Sequence, residues 1–135
     1  MSYTSRAQLV NLHGEANLAK WSALGGESTA NETRISASLV YGDAQVDLRL
    51  IGGAYALPLQ GMDSTTEISV DYWATVFAAH WLYFSRGMLD KDEQAPKLDD
   101  ERKRVEEEIT QVRSGKLRLN ARRRWAPNPN CPTAS

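Results

Sequence analysis

The segment at residues 70–84, VDYWATVFAAHWLYF, constrains the fold more than any other part of the sequence. At helical spacing it places one apolar stripe through Trp73 and Phe77 and a second through Val76 and Ala79, so apolar residues nearly surround the predicted helix. A helix of this kind is normally packed by neighbouring elements on several sides. The sequence therefore predicts a central helix enclosed by a bundle.

The same segment does not suit a membrane. It carries Asp71 and His80, and it is shorter than the roughly 20 apolar residues that cross a bilayer. The N-terminus, MSYTSRAQLV, lacks the basic stretch and apolar core of a secretory signal. The single cysteine, Cys131, allows no internal disulfide. We therefore expect a soluble protein of a reducing compartment, with no membrane partner.

Two short helices are predicted near the N-terminus. Thr4 or Ser5 caps the first helix, and Gly14 is placed to end it. Apolar residues at helical spacing in 18–24 indicate the second helix. The polar segment at 25–31 then predicts a loop.

A longer helix of about 20 residues is predicted to start after Asn31, which is a favourable N-cap. Gly42 lies inside this helix and indicates close packing or a bend, since glycine disfavours a helix interior. The stretch LIGGAYALPL then ends the helix. Gly52 and Gly53 favour a positive φ or a close approach, and Pro58 favours an extended exit.

Two further helices complete the predicted fold. Thr65 or Thr66 is expected to cap the central helix, and Gly87 to end it. The last helix is predicted from about Leu98 to Ser114, with Gly115 as its stop. The predicted fold class is therefore all-α, a small bundle of four or five helices with an extended C-terminal arm.

The C-terminal end is strongly basic, although the net charge of the whole chain is −1. Residues 116–119 alternate polar and apolar as an extended arm does, and Trp125 directly follows three arginines. We predict a helical domain at 1–115 and an extended arm with a Pro/Asn-rich tail at 116–135. The residues predicted to bind a partner are Lys116, Leu117, Arg118, Leu119, Arg122, Arg123, Arg124 and Trp125. The alternative is a disordered basic end with an incidental aromatic residue.

The sequence offers little for catalysis. His13 and His80 are its two histidines, and His80 lies among aromatic residues, where a hydrogen-bonded packing role is the more common one. Metal-binding patterns and glycine-rich phosphate loops are absent from the sequence. We therefore predict that the protein is not an enzyme and has no cofactor and no metal site.

Four segments in order carry a resemblance to a known family: YTSRAQLVNLHGE, LIGGAYALPL, DYWATVFAAHWLYFSRG and ERKRVEEEITQVRSGKLRLN. Over residues 3–120 the sequence resembles the head-tail connector (adaptor or head completion) proteins of tailed bacteriophages, in particular the Mu-like connector family. It departs from that family in the loop GGESTANET and in the tail RRRWAPNPNCPTAS, which extends past the point where many relatives stop.

The resemblance implies a structural virion protein of the phage neck that is not an enzyme. It implies a dodecameric ring between the portal protein and a neck or tail completion protein, joining head to tail and lining the DNA channel. The protein would reside at the head-tail junction of the virion, and in the host cytoplasm during assembly. In this ring we expect residues 116–125 to leave the bundle and dock on the portal or an adjacent copy. Truncation after Gly115 is then expected to leave a folded domain and to abolish head-tail joining. A related hypothesis is that some basic residues contact channel DNA.

Two readings from other classes compete with the connector. A small helical nucleic-acid-binding regulator would use Arg122, Arg123 and Arg124 on phosphate, with salt-sensitive and sequence-indifferent binding. Against it, no helix-turn-helix spacing with a polar recognition helix is present. A helix-bundle enzyme is disfavoured by the shortage of histidine, cysteine and clustered carboxylates.

Overall fold

A computed structural model describes residues 3–23, 29–85 and 94–123. These residues form five helices: α1 (Arg6–His13), α2 (Glu15–Ser22), α3 (Glu32–Leu50), α4 (Ser64–Phe84) and α5 (Gln94–Arg113). Within the described ranges no strand occurs, and Tyr55 and Arg123 form an isolated antiparallel bridge. No helix among these residues combines the length and the apolar character needed to cross a bilayer. The prediction of a small all-α bundle is confirmed.

α4 is the central helix, as predicted, and it contacts each of the other four helices. Every residue at 73–79 is buried. One hydrophobic cluster joins Val70 and Phe77 to the later halves of α3 and α5. A second cluster joins Leu82 and Tyr83 to α1, α2 and the first turns of α3 and α5. α4 is therefore apolar on all sides because it is buried between these two parts of the core.

The crossing of α3 and α4 is close because α3 carries a glycine there. A Cβ atom at Gly42 would overlap the carbonyl oxygen of Ala74 and lie 3.2 Å from the Cβ of Ala78. Gly42 is buried, so the predicted close packing at this glycine is confirmed. The predicted start of α3 is confirmed as well, since the side chain of Asn31 accepts a hydrogen bond from the backbone N–H of Arg34 at 3.2 Å.

The stretch between α3 and α4 carries two buried anchors. Gly52 has a φ of +87°, and a Cβ atom at Gly53 would lie 3.1 Å from the carbonyl oxygen of the residue that ends α3. Gly52 thus has the positive φ, and Gly53 makes the close approach, that the sequence predicted for these glycines. Beyond them, Tyr55 is 4% exposed and Leu59 is fully buried, while the peptide bond before Pro58 is cis. Tyr55 and Leu59 therefore anchor the connection to the core, while other residues of the connection stay exposed.

The N-terminal residues also pack against α3, through hydrogen bonds that the sequence did not predict. The Tyr3 hydroxyl donates to the Asp47 carboxylate at 2.6 Å and accepts from the backbone N–H of Leu59 at 2.7 Å. Asp43 accepts from the backbone N–H groups of Tyr3 and Thr4 at 3.0 and 3.2 Å. Burial, and then the hydrogen bond to Asp47, raise the pKa of Tyr3. Tyr3 thus ties the chain start, α3 and the connection before α4 together.

The predicted cap of α4 is wrong. Asp63 caps the helix instead of Thr65 or Thr66, and its Oδ1 accepts from the backbone N–H of Thr66 at 2.9 Å. A carboxylate suits this position because it also meets the positive end of the helix dipole. Glu67 lies in the first turn, as expected. The predicted stop at Gly87 lies outside the described residues, as does most of the predicted loop at 25–31.

The start of α5 also differs from the prediction. The helix begins at Gln94, four residues before Leu98, and it includes Pro96. A proline in the first turn removes no helical hydrogen bond, because the first N–H groups of a helix have no partner in the helix. Reading this proline as part of a loop was the error. The end of the helix at Arg113, with Gly115 in the turn that follows, agrees with the prediction.

Candidate interaction surfaces

The C-terminal segment at 116–123, here called the arm, begins with a tight reversal of the chain. Gly115 has a φ of +86°, a conformation that glycine adopts readily. The backbone N–H groups of Lys116 and Leu117 both donate to the carbonyl of Gln111, at 2.9 and 3.2 Å. These bonds cap α5 and turn the arm back towards the bundle.

The arm then runs beside the connection between α3 and α4 and the start of α4. Five hydrogen bonds hold it there, and each uses a backbone group of the arm. They are Leu119 N–H to the Tyr55 hydroxyl (2.7 Å), Asn120 N–H to the Thr66 hydroxyl (3.1 Å), Asp63 N–H to the Asn120 carbonyl (3.3 Å), Arg122 N–H to the Gln60 carbonyl (2.6 Å) and Ala56 N–H to the Arg122 carbonyl (3.0 Å).

The prediction that this segment leaves the bundle is therefore wrong as far as residue 123. Leu119 and Ala121 pack against the hydrophobic cluster around Phe77, and the Asn120 side chain donates to Asp63 at 2.8 Å. The alternating pattern of the sequence was the correct signal for an extended segment. It could not indicate which chain the segment pairs with, because any backbone with free N–H and C=O groups would serve.

The side chains of the arm, unlike its backbone, are mostly not engaged with the bundle. Four of the eight predicted partner-binding residues lie exposed: Lys116, Leu117, Arg118 and Arg122. Arg123 and Leu119 are half-buried, Leu119 against the hydrophobic core, and Arg124 and Trp125 lie outside the described residues. The role of these residues in binding a partner stays a prediction.

Five basic residues lie at the end of α5 and along the arm: Arg113, Lys116, Arg118 and Arg122, which are exposed, and Arg123, which is half-buried; we call them together the basic surface. None of these five side chains forms an ion pair with a carboxylate among the described residues. By contrast, Arg6 at the other end of the chain bonds to both Glu15 and Glu32. The basic surface is therefore free to meet phosphate or carboxylate groups of another molecule.

A second surface lies along the outer side of α3. Its exposed positions recur at intervals of three or four residues and carry no charge. They are Thr33, Ala37, Val40, Ala44 and Leu48, with Ile51 directly after the helix. We call this surface the α3 ridge. Val40, Leu48 and Ile51 are 69%, 60% and 55% exposed, respectively, so the ridge is an apolar stripe that no described residue covers.

Sequence reasoning missed the α3 ridge, although the signal was present. The predicted stripe of α3 followed Ile35, Leu39, Val46 and Leu50, of which Leu39 is half-buried and the other three are buried. Val40 and Leu48 fall between them and repeat at helical spacing on the other side. A helix with two apolar sides, only one of which its own bundle covers, is the pattern that indicates an interface.

A third surface is concave and lies between α1 and α4. The groove has a volume of about 260 Å³ and is lined by Gln8, Asn11, Leu12, Ile68, Asp71, Tyr72 and Thr75. Leu12, Ile68 and Tyr72 are 38%, 70% and 39% exposed, which is high for large apolar side chains. Asp71 is its one carboxylate, and burial followed by the nearby Glu67 and Asp43 raises the pKa of Asp71. We call this surface the α1–α4 groove.

His80 has the packing role that the sequence predicted. Its Nδ1 lies 3.0 Å from a guanidinium nitrogen of Arg102, and its Nε2 lies 2.8 Å from the Asp99 carboxylate. Because a guanidinium only donates, Nδ1 accepts, and Nε2 carries the proton donated to Asp99. The ring stacks on Phe84 with centroids 4.3 Å apart. Burial lowers the pKa of His80, against the opposing effect of Asp99. The neutral ring is therefore engaged at both nitrogens.

The other titratable groups that sequence reasoning considered are also placed. The His13 ring contacts the Trp21 ring edge-on at 5.1 Å, and burial lowers the pKa of His13. Within the described ranges, no cluster of His, Cys, Asp and Glu side chains is arranged to hold a metal ion. The surfaces with an open role are thus the basic surface, the α3 ridge and the α1–α4 groove.

Comparison with known families identifies the chain at the level of its family. The model of the family described as bacteriophage Mu, Gp36 matches residues 3–133. The match extends past residue 120, where the resemblance seen in the sequence ended. The comparison with curated proteins finds no match. Since the family model covers nearly the whole sequence, the chain is a Mu-like phage protein and belongs to the bacteriophage Mu Gp36 family.

Proposed function

We propose that this protein is a structural component of the phage neck, where copies form a ring between the portal and the tail. The ring joins the head to the tail and surrounds the channel through which DNA passes. Two kinds of observation support the proposal. The chain belongs to a phage family over nearly its whole length, and its described surface combines uncovered apolar areas with a basic surface that lacks carboxylate partners.

The basic surface is the single observation that carries this proposal. Backbone hydrogen bonds fix the arm, so Arg118 and Arg122 project from a held main chain rather than from a free tail. Arginine pairs well with phosphate oxygens and with carboxylates, often through two parallel hydrogen bonds. Two partners in a neck offer such groups: the DNA in the channel and an acidic surface of the portal or a neighbouring copy.

A structural role also agrees with how the chain uses its reactive side chains. His80 is held neutral between Arg102 and Asp99, and the Tyr3 hydroxyl is occupied by Asp47 and a backbone N–H. These groups stabilise the bundle and leave no unoccupied base beside a nucleophile at either place. Stability and surface shape are what a ring component contributes.

Removing the protein from a phage tests the proposal directly. A nonsense mutation in its gene is expected to yield DNA-filled heads and complete tails that do not join, as counted by electron microscopy. A copy with an epitope tag is expected to appear as a ring of density at the neck. Normal particles without the protein, or tagged protein located elsewhere in the particle, would contradict the neck assignment.

The basic surface also suits a second candidate, a small regulator that binds nucleic acid through phosphate. Such binding would weaken steeply as salt concentration rises and would depend little on sequence. The purified protein should then shift free duplex DNA on its own, and its loss should change transcription rather than head-tail joining. Measuring both in the nonsense mutant separates the two candidates.

A further inference from the structure

The α3 ridge and the α1–α4 groove are two apolar surfaces of opposite shape, and the fold turns them away from each other. On α3, Val40 and Ala44 lie roughly 160° around the helix from Gly42, which contacts α4. On α4, Ile68 and Tyr72 lie roughly 120–160° around the helix from Ala74, which contacts α3. The ridge therefore faces outward on one side of the α3–α4 pair, and the groove opens on the other side.

We propose that the α3 ridge of one copy docks in the α1–α4 groove of the next copy, and that this contact closes the ring. The inference rests on the ring of the proposed function and names its interface. A ring needs a heterologous contact, in which one surface meets a different surface of the next copy. A convex surface and a concave surface on opposite sides of one chain meet that requirement.

The size of the groove favours a helix ridge over a small molecule as its occupant. Its volume of about 260 Å³ lies below the range of about 300–1,000 Å³ that is usual for ligand sites. Aliphatic side chains such as Val40 and Leu48 are small enough to enter it. The ridge brings no charge into the groove, and the groove itself contains one carboxylate, Asp71. The burial of unpaired charge that such a contact imposes is therefore small.

The area of the contact sets its strength. From Thr33 to Leu48 the ridge is about 22 Å long, and a helix with its side chains is about 10 Å wide, so the ridge offers about 220 Å². A stable protein pair buries about 800 Å² on each partner. One ridge in one groove is thus too small to hold a dimer at low concentration. In a closed ring every copy makes the contact twice, and the portal supplies a high local concentration.

Disulfide trapping detects a contact of this strength. In a Cys131→Ser background, the double variant Val40→Cys/Ile68→Cys is oxidised at high protein concentration and run on a non-reducing gel. We expect a ladder of dimers, trimers and longer chains, with bonds between positions 40 and 68 identified by mass spectrometry. The control variant Val40→Cys/Glu107→Cys has its second cysteine at an exposed position of α5, outside the groove, and should give only weak products.

Two results would overturn the inference. One is a double variant that yields no more product than the control, both in solution and in particles that contain the protein at the neck. The other is Val40→Cys alone forming dimers as efficiently as the double variant, which would mean that the ridge pairs with itself. The experiments distinguish failure of the proposed function from failure of the interface. If the protein is found at the neck but gives no disulfide ladder, only the proposed interface is wrong. If the ladder forms but the protein is absent from the neck, only the proposed function is wrong.

Discussion

The α3–α4 crossing and the C-terminal arm are both parts of one core, yet they are held in different ways. At the crossing, side-chain size decides the fit, since the buried Gly42 leaves room for the Ala74 carbonyl and little else. In the arm, main-chain hydrogen bonds decide the fit, and side chains such as Arg118 and Arg122 project outward. The crossing is therefore sensitive to side-chain substitution, while the arm tolerates substitution and leaves its surface free for a partner.

Removing the arm is expected to have the largest effect on stability. Truncation after Gly115 deletes the five hydrogen bonds between the arm and the bundle, the two that cap α5, and the packing of Leu119. Each bond contributes about 1 kcal/mol net, and the freed residues regain conformational entropy, so we expect a loss of about 3 kcal/mol. Urea denaturation followed by circular dichroism measures this loss.

The matched control is truncation after Arg123, which keeps all five bonds and should retain nearly full stability. This expectation replaces the one from sequence alone, in which a chain ending at Gly115 folds normally and fails only in assembly. Equal midpoints for the two truncated chains would contradict the integration of the arm into the bundle.

Substituting Gly42, the glycine at the α3–α4 crossing, is expected to have the second-largest effect on stability. In Gly42→Ala the added Cβ meets the carbonyl oxygen of Ala74, which belongs to the backbone of the central helix and cannot move alone. Overpacking of this kind destabilises by about 1–3 kcal/mol, and the better helix propensity of alanine returns about 1 kcal/mol. We expect a net loss of up to about 2 kcal/mol in the same denaturation assay. The exposed control Ala44→Gly should lose about 1 kcal/mol through propensity alone.

A stabilised Gly42→Ala protein would mean that propensity governs this position and that the two helices are not in close contact. The control variant Ala44→Gly, which lies on the ridge, also separates an effect on folding from an effect on assembly. Ala44→Gly changes the α3 ridge without touching the α3–α4 crossing, so any loss of ring formation beyond its small loss of stability reflects the outer side of α3.

Asp63 contacts both α4 and the arm, so the stability of this attachment depends on pH. It caps α4 through the Thr66 N–H and accepts a hydrogen bond from Asn120 of the arm. The bonds from Thr66, and then that from Asn120, lower the pKa of Asp63 from its ordinary value of 3.8. The stabilisation is thus fully present above that value and is lost as the pH falls through the lower pKa of the folded protein.

Asp63→Asn is the variant that tests this dependence, because asparagine is an equally good N-cap but does not titrate in this range. Thermal melts between pH 5 and pH 2 should fall less steeply for Asp63→Asn than for the wild type. Parallel curves would mean that Asp63 titrates alike in the folded and unfolded chain and does not hold the arm to α4.

The sequence predicted those features that depend on a residue and its near neighbours. Helical periodicity located the central helix α4. Asn31 marked the start of α3, and Gly42 indicated the close crossing of these two helices. The arm illustrates what escaped prediction. Its extended pattern was visible, but its partners, Tyr55 and Thr66, are more than fifty residues away. Main-chain pairing leaves no trace in side-chain composition, so only the folded chain reveals it. The α3 ridge escaped for another reason, since the prediction for α3 followed only the stripe on the other side of the helix.

Reversing charge in the arm should have the smallest effect on the fold and a large one on function. The side chains of Arg118 and Arg122 are exposed and form no ion pair with a described residue, so Arg118→Glu/Arg122→Glu should change stability by no more than about 0.5 kcal/mol. If these side chains meet phosphate or carboxylate groups in the neck, the reversed charges repel that partner, and joined particles should fall at least tenfold in a complementation assay. The control Lys20→Glu/Lys103→Glu makes the same change in net charge at exposed positions of α2 and α5, and it should complement normally. Equal particle yields from both double variants would show that the basic surface has no partner, whereas a large loss of stability in the arm variant would show that its side chains, and not only its backbone, hold the arm in place.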